Sequence, residues 1–475
     1  MSGLKVIAID TPNLGDRSYV VGSGSSAIVI DPQRDIDRVE EILDEHGWNA
    51  SHVLETHFHN DYVSGGLELA RRTKAEYVVP EGMDIDFAAR QVGDMAEISS
   101  DLGRLRVLHT PGHTPNHISF AVNVDGADVA LFTGGSLLFG SVGRPDLLGP
   151  ELTEPLARSQ WRSMRRIGAE VTPSADVFPT HGFGSFCSAT ATVGNASTVA
   201  EQVATNPVFS APEDDFVADL IAGLDAYPAY YAHMGPANQR GAGPIDLSLP
   251  SIATADEIAR RIAAGEWVVD LRHRKAFAAD HVKGALSFDV HGNAVTYLGW
   301  MIDWGTPITL LGSDASEVQL MQRELVRIGI DRPAAYAVGT SKEWASPAAP
   351  VSGYRRATHA DLATALAEDP AIPVLDLRRN GEFDDGYVSG AKHVPLHELR
   401  SRIDEVSDWA GTSADHGPVW IYCGSGFRAS IGASLLDGFD IPVVHVDDDF
   451  VNAEAAGLTI TRPAVGHRIG AAYAD

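Results

Sequence analysis

An internal repeat in the C-terminal half constrains the fold of this chain more than any other feature. The segment WVVDLRHRKAFAADHVKGALSF (267–288) matches PVLDLRRNGEFDDGYVSGAKHV (373–394) at an offset of 106 residues. Further on, PITLLGSDASEVQLMQREL (307–325) matches PVWIYCGSGFRASIGASLL (418–436) at an offset of 111. Each copy alternates apolar, strand-like runs with helical stretches, which is typical of a parallel sheet. Two copies are too few for a solenoid, so the sequence predicts two tandem α/β domains.

The first half has a different pattern, in which strand-like runs and helical stretches lead into polar loops. LKVIAID, RSYVVGS and SAIVIDP are separated by turn residues, and DIDRVEEILDEHG follows with helical spacing and Gly47 as a stop. This mixture predicts a layered α/β core. At roughly 100–200 residues per domain, we expect an α/β multidomain protein. The predicted domains are 1–245, which ends in a connector rich in Pro, Gly and aromatic residues, 250–350 and 355–470.

The charge and cysteine content argue against several functions. The formal net charge is -28, whereas a nucleic-acid binder needs a basic surface and anionic membranes attract basic segments. No apolar run approaches the roughly 18 residues of a transmembrane helix, and the N-terminus has no signal-peptide pattern. Two cysteines, Cys187 and Cys423, do not suit a disulfide scaffold. We therefore expect a cytoplasmic protein that binds neither nucleic acid nor membrane.

A cysteine loop in the second repeat has the features of a nucleophilic site. Cys423 ends an apolar strand and precedes a short glycine-containing loop and a helix that begins near Arg428. Backbone N–H groups, the helix N-terminus and a guanidinium group all stabilise a thiolate at such a position. The loop that would surround the sulfur consists of Gly424, Ser425, Gly426 and Phe427.

The pattern Cys423-x-x-Gly426-x-Arg428 resembles the active loop of rhodaneses, the single-cysteine sulfurtransferases. The resemblance covers about residues 355 to 465. It implies that Cys423 accepts a sulfane sulfur as a persulfide and passes it to a thiol or another nucleophile. In the first repeat, Gly312 and Glu317 stand at the positions of the cysteine and the arginine. We therefore expect residues 250–350 to form a rhodanese-like domain without catalytic activity.

Histidines follow successive strand-like runs in the first half. In THFHNDY, His57 and His59 stand two residues apart, so both imidazoles can reach one ion from a strand end. His113 follows a glycine in HTPGHTPNH, and His181 follows another strand in PTHGFG. The pattern predicts a metal site with His57, His59 and His113 as ligands. His109 and His117 are assigned to supporting roles.

These segments resemble the metallo-β-lactamase superfamily and, within it, persulfide (sulfur) dioxygenases fused to rhodanese repeats. The resemblance implies an αββα sandwich that uses one non-haem iron and O₂ to oxidise a persulfide. In that family the first histidine, the downstream histidine and an aspartate after FTG hold the iron. The corresponding residues are His57, His113 and Gly135, so the carboxylate is missing, and Tyr62 stands where a second-metal histidine is found. We expect one divalent ion, Fe(II) or Zn(II).

Other residues are predicted to surround this ion. Asp61 and His181 would lie where a second metal binds in binuclear relatives, and Tyr62 would either fill that space or donate a hydrogen bond to substrate. The GRxD feature survives as Arg144 and Asp146. Cys187 follows the last histidine loop. Its predicted role is either to accept sulfur or to fill space as a small core residue.

The sequence favours a sulfur-metabolism enzyme that joins rhodanese-type transfer on Cys423 to a mononuclear-metal domain acting on low-molecular-weight persulfides. Its expected partners are thiosulfate and a small thiol or persulfide. Two alternatives stay open for the first half: a metal-dependent thioester hydrolase like glyoxalase II, and a degenerate scaffold that serves only the rhodanese domain. The oligomeric state is open, with a homodimer as one alternative.

Overall fold

The computed structural model describes residues 4–192 and 194–463 of the chain. Within them the chain divides into two units. The first comprises residues up to Ile245 together with Val326–Gly329, and the second comprises Asp246–Leu325 and the residues from Ile330 onward. The three-domain division stays a prediction, and its last boundary, residue 470, lies outside the described residues. In the described part of the chain, no helix is long and apolar enough to cross a membrane.

The first unit contains thirteen strands and seven helices among the described residues. The strands are β1 Lys5–Thr11, β2 Asp16–Ser23, β3 Ser26–Ile30, β4 Asn49–Leu54, β5 Glu76–Pro80, β6 Arg90–Val92, β7 Glu97–Ser100, β8 Gly103–His109, β9 Ile118–Val124, β10 Ala127–Gly134, β11 Leu137–Leu138, β12 Ser141–Val142 and β13 Asp176–Pro179. The helices are α1 Asp37–His46, α2 Gly66–Thr73, α3 Pro150–Glu170, α4 Val199–Thr205, α5 Pro207–Ser210, α6 Glu213–Ala222 and α7 Tyr231–Arg240.

Two sheets pack face to face in this unit. One has the order β1-β2-β3-β4-β5-β6 and the other the order β13-β10-β9-β8-β7. Their facing sides form one apolar core, in which Tyr19 of β2 meets Phe132 of β10 edge to face with ring centroids 5.3 Å apart. Helices cover the outer face of each sheet. The resulting layers are helix, sheet, sheet and helix, which is the predicted αββα sandwich.

The burial of both sheet faces explains the continuous apolar runs in the sequence. Successive side chains of a strand point to opposite faces, so Tyr19 and Val21 face the inter-sheet core while Val20 faces the helical layer. Helix α1 ends where the sequence predicts, because Gly47 adopts a left-handed conformation with φ of 63° and donates its N–H to the last turn.

The second unit contains two sheets of the same design. Its strands are β14 Ser251–Ile252, β15 Trp267–Asp270, β16 His281–Val282, β17 Leu286–Ser287, β18 Ile308–Gly312, β19 Ala335–Val338, β20 Val351–Ser352, β21 Arg355–Ala357, β22 Val374–Asp376, β23 Tyr387–Val388, β24 Lys392–His393, β25 Val419–Tyr422, β26 Val443–Val446 and β27 Ile460–Thr461. Its helices are α8 Ala255–Ala263, α9 Arg274–Ala279, α10 Ala294–Met301, α11 Ala315–Arg327 (whose last two residues are assigned to the first unit), α12 Ser341–Trp344, α13 His359–Glu368, α14 Asn380–Asp384, α15 Leu396–Leu399, α16 Ile403–Thr412 and α17 Phe427–Gly438.

The internal repeat is visible in the topology of these sheets. One has the order β14-β19-β18-β15-β17 and the other β21-β26-β25-β22-β24, and all neighbouring strands in both run parallel. Strands β18 and β25 occupy the same central place, so Gly312 and Cys423 lie at equivalent carboxyl ends. In open parallel sheets this edge is where ligands bind.

Candidate metal centre and cysteine loop

Four buried imidazoles gather at one edge of the sandwich. His57 follows strand β4, and its ring centroid lies 4.2 Å from that of His59, 4.9 Å from that of His113 and 5.2 Å from that of His181. All four side chains are almost fully buried. The structure therefore brings together the three predicted ligands and the histidine assigned to the neighbouring position.

Hydrogen bonds fix the orientation of three of these rings. The Nδ1–H groups of His57, His113 and His181 are 2.8 Å from Thr56 Oγ1, the Arg144 carbonyl oxygen and Asp16 Oδ1, respectively. With Nδ1 donating, the Nε2 atoms of His57 and His113 present lone pairs to the interior of the cluster, and that of His181 would do so once it loses its proton. This is the usual way in which a protein prepares histidine as a metal ligand.

The distance between two of these nitrogens fits a shared cation. His57 Nε2 and His181 Nε2 are 3.2 Å apart. Two nitrogens bound to one tetrahedral zinc ion at about 2.0–2.1 Å lie about 3.3 Å from each other. A proton between the two atoms satisfies the same distance, so metal and proton compete for this position.

Three other atoms of the cluster have no hydrogen-bond partner among the described residues. They are His59 Nδ1, His113 Nε2 and Asp61 Oδ1, all buried. A buried polar atom without a partner costs about 1–3 kcal/mol. The donor atoms of His57, His113 and His181 lie within 4.8 Å of one another, and the same holds for two further sets, Asp31 with His57 and His59, and Asp61 with His59 and His181. The residues present therefore fit a metal ion.

None of the three donor sets is identical with the predicted ligand set. His181 belongs to two of them, although the sequence placed it beside the site, and Asp31 and Asp61 each add a carboxylate next to two histidines. Three imidazoles suit zinc, whereas two histidines and a carboxylate are typical of non-haem Fe(II). Asp61 can therefore supply the carboxylate ligand that Gly135 lacks.

Burial keeps two of the imidazoles neutral. It lowers the pKa of His57, with further lowering by His59, and it lowers the pKa of His113 to about 3, with further lowering by His181. Neutral imidazole is the form that binds metal. Burial also lowers the pKa of His181, but the carboxylates of Asp61 and Asp16 outweigh it and raise the pKa to about 10.

His59 is held from its other side. Its Nε2 atom lies 3.2 Å from Glu55 Oε2 and 3.3 Å from Asp31 Oδ1, so these carboxylates outweigh burial and raise the pKa of His59 to about 9. Tyr62 stacks on the ring of His59 with centroids 4.3 Å apart, and its hydroxyl donates to the Asp31 carbonyl oxygen at 3.2 Å. Tyr62 is fully buried beside the cluster, where its phenol takes up space; its role stays a prediction.

Gly135 is tightly enclosed. Its N–H donates to His117 Nε2 at 3.0 Å, and a Cβ atom added to it would lie 2.3 Å from Cδ2 of His113. An aspartate at this position therefore conflicts with His113 as it stands. His117 also stacks on His57 at 4.8 Å, which agrees with a supporting role, while His109 is exposed.

Arg144 supports the cluster from behind. Its carbonyl oxygen binds His113, and its guanidinium donates to Asp146 at 2.7 and 2.8 Å. Its N–H donates to the Cys187 carbonyl oxygen at 2.9 Å, so the GRxD segment links the last loop to His113. The Cys187 thiol is buried 3.8 Å from the Tyr231 hydroxyl, and burial raises its pKa well above the ordinary value.

Sequence reasoning missed two carboxylates that organise the site. Asp31 follows strand β3 in a left-handed conformation with φ of 50°, and it accepts hydrogen bonds from Thr56 and Thr180 at 2.5–2.7 Å. Asp16 orients His181. Asp31 reaches the site because β3 and β4 are parallel neighbours, so residues that follow the two strands share one edge of the sheet.

The cysteine loop in the second unit cradles its sulfur. Cys423 follows β25 and is almost fully buried, and its Sγ accepts the N–H of Ala429, in the first turn of α17, at 3.3 Å. Gly426 has φ of 85°, and a Cβ there would lie 2.5 Å from Asp447 Oδ1. Arg428 donates to both carboxylate oxygens of Glu382, at 2.6 and 2.7 Å, so its charge is shared with that group.

The first repeat differs at the equivalent loop and contacts the active one. There Glu317 accepts the N–H of Ser313 at 2.7 Å, so a carboxylate occupies the loop in place of a thiol. Phe427 packs against the first repeat, with its ring 6.1 Å from that of Tyr297 and with no room for a side chain on Gly292. The first repeat thus forms one wall beside the cysteine loop.

The layered sandwich with a buried histidine cluster at its edge and the parallel α/β unit with a cysteine cradle are the two features that bear comparison with known families. Residues 14–181 form a metallo-beta-lactamase superfamily domain, and residues 358–456 form a rhodanese-like domain. The family resemblance seen in the sequence is thereby confirmed for these ranges, whereas the rhodanese identity of residues 250–350 stays a prediction.

Individual relatives cover parts of the chain. A hydroxyacylglutathione hydrolase of Methylococcus capsulatus is 36% identical over 34% of this chain and 59% of its own length. One of Cereibacter sphaeroides is 32% identical over 31% of this chain and 54% of its own length, so the match spans little more than half of either hydrolase. A metallo-beta-lactamase from Staphylococcus aureus, known by crystal structure, is 28% identical with a TM-score of 0.64; the match covers 71% of this chain and all of that one.

Proposed function

We propose that this chain is a sulfur-handling enzyme with two centres. Cys423 carries sulfane sulfur, and the histidine cluster holds one metal ion that acts on a low-molecular-weight persulfide. The observation that carries the proposal is the Cys423 cradle, in which the thiol ends a central strand and accepts an N–H from a helix N-terminus. Both cysteines are free and buried, which favours a reducing, cytoplasmic setting.

Sulfur transfer on Cys423 needs two displacement steps. The thiolate attacks the outer sulfur of thiosulfate, the S–S bond of the donor breaks, and sulfite leaves with the electron pair. An acceptor thiolate then attacks the outer sulfur of the Cys423 persulfide, and Cys423 leaves as a thiolate. Backbone N–H groups of the loop and of the first turn of α17 stabilise the negative charge in both forms.

The metal domain supplies a dry, oriented set of ligands. A bound Fe(II) ion would contribute redox chemistry with O₂, and a bound Zn(II) ion would contribute Lewis acidity. The Arg144 carbonyl and Thr56 orient His113 and His57, and Asp16 orients His181. Burial of the whole cluster excludes bulk water. The buried atoms of His59, His113 and Asp61 without partners argue against a scaffold that serves only the rhodanese domain.

Persulfide oxidation balances as one persulfide, one O₂ and one water giving one thiol, one sulfite and two protons. The test loads the chain anaerobically with Fe(II) and then measures O₂ uptake. The substrates are glutathione persulfide and, separately, the persulfide of an uncharged thiol such as N-acetylcysteinamide. We expect metal-dependent uptake of one O₂ per sulfite, lost in His113→Ala. Uptake that persists in this variant, or its absence in the fully loaded parent, contradicts the proposal.

Thioester hydrolysis is the second candidate, and the hydroxyacylglutathione hydrolase relatives favour it. It would use the same ligands without consuming O₂. A fully buried tyrosine, Tyr62, against the ring of His59 counts against a binuclear hydrolase. Release of thiol from a glutathione thioester by zinc-loaded chain, without any O₂ uptake by the iron-loaded form, would establish this alternative in place of the first.

A further inference from the structure

A cleft of about 370 Å³ opens beside the histidine cluster. Phe58 and Asn60, which alternate with the metal-site histidines, and Thr114, which follows His113, line it. Phe58 and Met83 also line a smaller cavity that His57 and His59 border. The two cavities share Phe58 and Met83 as lining residues, so the cleft adjoins the cavity at the histidines and is a suitable place for the body of a substrate.

The lining of this cleft carries almost no charge. Its walls are largely apolar, with Phe58, Met83, Leu148 and Pro236 among them. Of the described residues that line it, Asp84 alone is acidic, and none is a lysine or arginine. A carboxylate or phosphate bound here would find no cation and would face the Asp84 carboxylate.

Two of the residues that line the cleft each have a buried polar side-chain atom with no partner among the described residues. The atoms are Asn60 Nδ2, a donor, and Thr114 Oγ1, which both donates and accepts, and their side chains are more than nine-tenths buried. Buried polar atoms of this kind are stabilised when a ligand supplies the hydrogen bond. The lining thus offers neutral hydrogen bonds on an apolar wall.

We propose that this cleft binds the carrier part of the substrate and that the carrier is an uncharged thiol compound bearing amide or hydroxyl groups. The inference rests on the proposed function for the reactive end of the substrate. Anionic carriers such as glutathione are therefore not expected to be the preferred substrates. Each carboxylate of such a carrier would lose its hydration on entering the cleft and would gain no cation in return. An amide or hydroxyl oxygen of a neutral carrier accepts from Asn60 and Thr114 at no such cost.

Binding can be measured without any chemistry at the metal. The probes are the thioethers N-acetyl-S-methylcysteinamide, which is neutral, and N-acetyl-S-methylcysteine, which is anionic, titrated into the full metal-loaded chain by calorimetry. We expect the neutral probe to bind at least about fivefold more tightly, the effect of one charge interaction at about 4 Å when it is screened as in bulk water. Equal affinity, or tighter binding of the anionic probe, overturns the proposal.

Variants locate the effect in this cleft. Asp84 is exposed, so Asp84→Lys should fold like the parent. This variant should bind the anionic probe more tightly than the neutral one. Asp84→Asn should reduce the difference between the two affinities without reversing its sign. Thr114→Val, which keeps the shape of the side chain, should lower the affinity for the neutral probe about threefold or more. Unchanged preferences in Asp84→Lys, with circular dichroism like that of the parent, overturn the assignment of the cleft.

The two proposals fail in different ways. If the neutral probe binds as expected but no persulfide is oxidised, the proposed function is wrong and the choice of carrier stands. If O₂ is consumed faster with glutathione persulfide than with N-acetylcysteinamide persulfide, the proposed function stands and the choice of carrier is wrong.

Discussion

The Nε2 atoms of His57 and His181 lie 3.2 Å apart although the residues are separated by 124 positions in the chain. Each ring donates its Nδ1–H elsewhere, to Thr56 and to Asp16. At this distance the two atoms share either a proton, which the raised pKa of His181 retains there, or a metal ion that displaces it. We predict that a bound ion lies at this pair, which the His-x-His spacing alone does not indicate.

His181→Gln should weaken metal binding at least tenfold, because it removes the atom that faces His57. The measurement is a competition titration against a chelator of known affinity, in parent and variant. His109→Gln is the matched control, since that ring is exposed and its Nε2 atom pairs with the Pro115 carbonyl oxygen rather than with the cluster. Equal affinities in parent and His181→Gln would show that the 3.2 Å pair holds only a proton.

Gly135→Asp restores the carboxylate of the family pattern, and we expect it to damage the site rather than repair it. The new Cβ would lie 2.3 Å from Cδ2 of His113, so the ring must move. Overpacking of this kind costs about 1–3 kcal/mol in the free energy of unfolding. Thermal denaturation should show the loss, with Gly243→Ala, where a Cβ meets nothing within 4 Å, as control. A variant as stable as the parent with a full metal content would contradict the packing argument.

Cys423→Ser should abolish thiosulfate-to-cyanide sulfur transfer, because a hydroxyl cannot form the persulfide. Cys187→Ser should leave transfer at the parent level, since Cys187 belongs to the other unit. Intact-mass measurement after incubation with thiosulfate should find one added sulfur atom in the parent and in Cys187→Ser only. Transfer by the Cys423 variant would assign the reaction to another residue.

Glu382 gives the rhodanese-like domain a predictable acid sensitivity. Burial raises the pKa of Glu382, but its hydrogen bonds to Arg428 lower it more, to about 2. Because the pKa of Glu382 is lower in the folded state, its carboxylate contributes its full stabilisation at pH values above the unfolded-state pKa near 4.5. This contribution is lost as the pH falls toward about 2.

Glu382→Gln should therefore cost about 2–3 kcal/mol near neutral pH and much less near pH 2. Urea unfolding of parent and variant at several pH values measures the difference in their free energies of unfolding. Contributions from other titratable groups cancel in this difference. A difference that does not change with pH would mean that the pair with Arg428 adds no stability. Sulfur transfer should also fall in the variant, because Arg428 loses its anchor beside Cys423.

Local motifs made part of the site predictable from sequence. His57, His59 and Cys423 each stand at the end of an apolar strand, where strand geometry alone places a side chain at a sheet edge. The repeat likewise predicted two parallel sheets, because the same apolar runs recur in the same order.

The remaining features depend on tertiary contacts. Asp16 orients His181 from 165 positions away, and no spacing rule links two such residues. Asp31 precedes a proline and reads as an ordinary turn residue until the parallel pairing of β3 with β4 brings it to Thr56. The closeness of Asp61 to His59 and His181, which offsets the missing carboxylate at Gly135, likewise follows from the folding of a polar loop.

The central claim is that the histidine cluster holds one metal ion. Its most direct test is the metal content, by mass spectrometry, of full-length chain loaded anaerobically with Fe(II) or Zn(II) and freed of excess metal. We predict one ion per chain in the parent and in His109→Gln, and a large loss in His57→Ala and His113→Ala. A content far below one in the parent, two ions per chain, or full loading of the His113 variant would contradict the account.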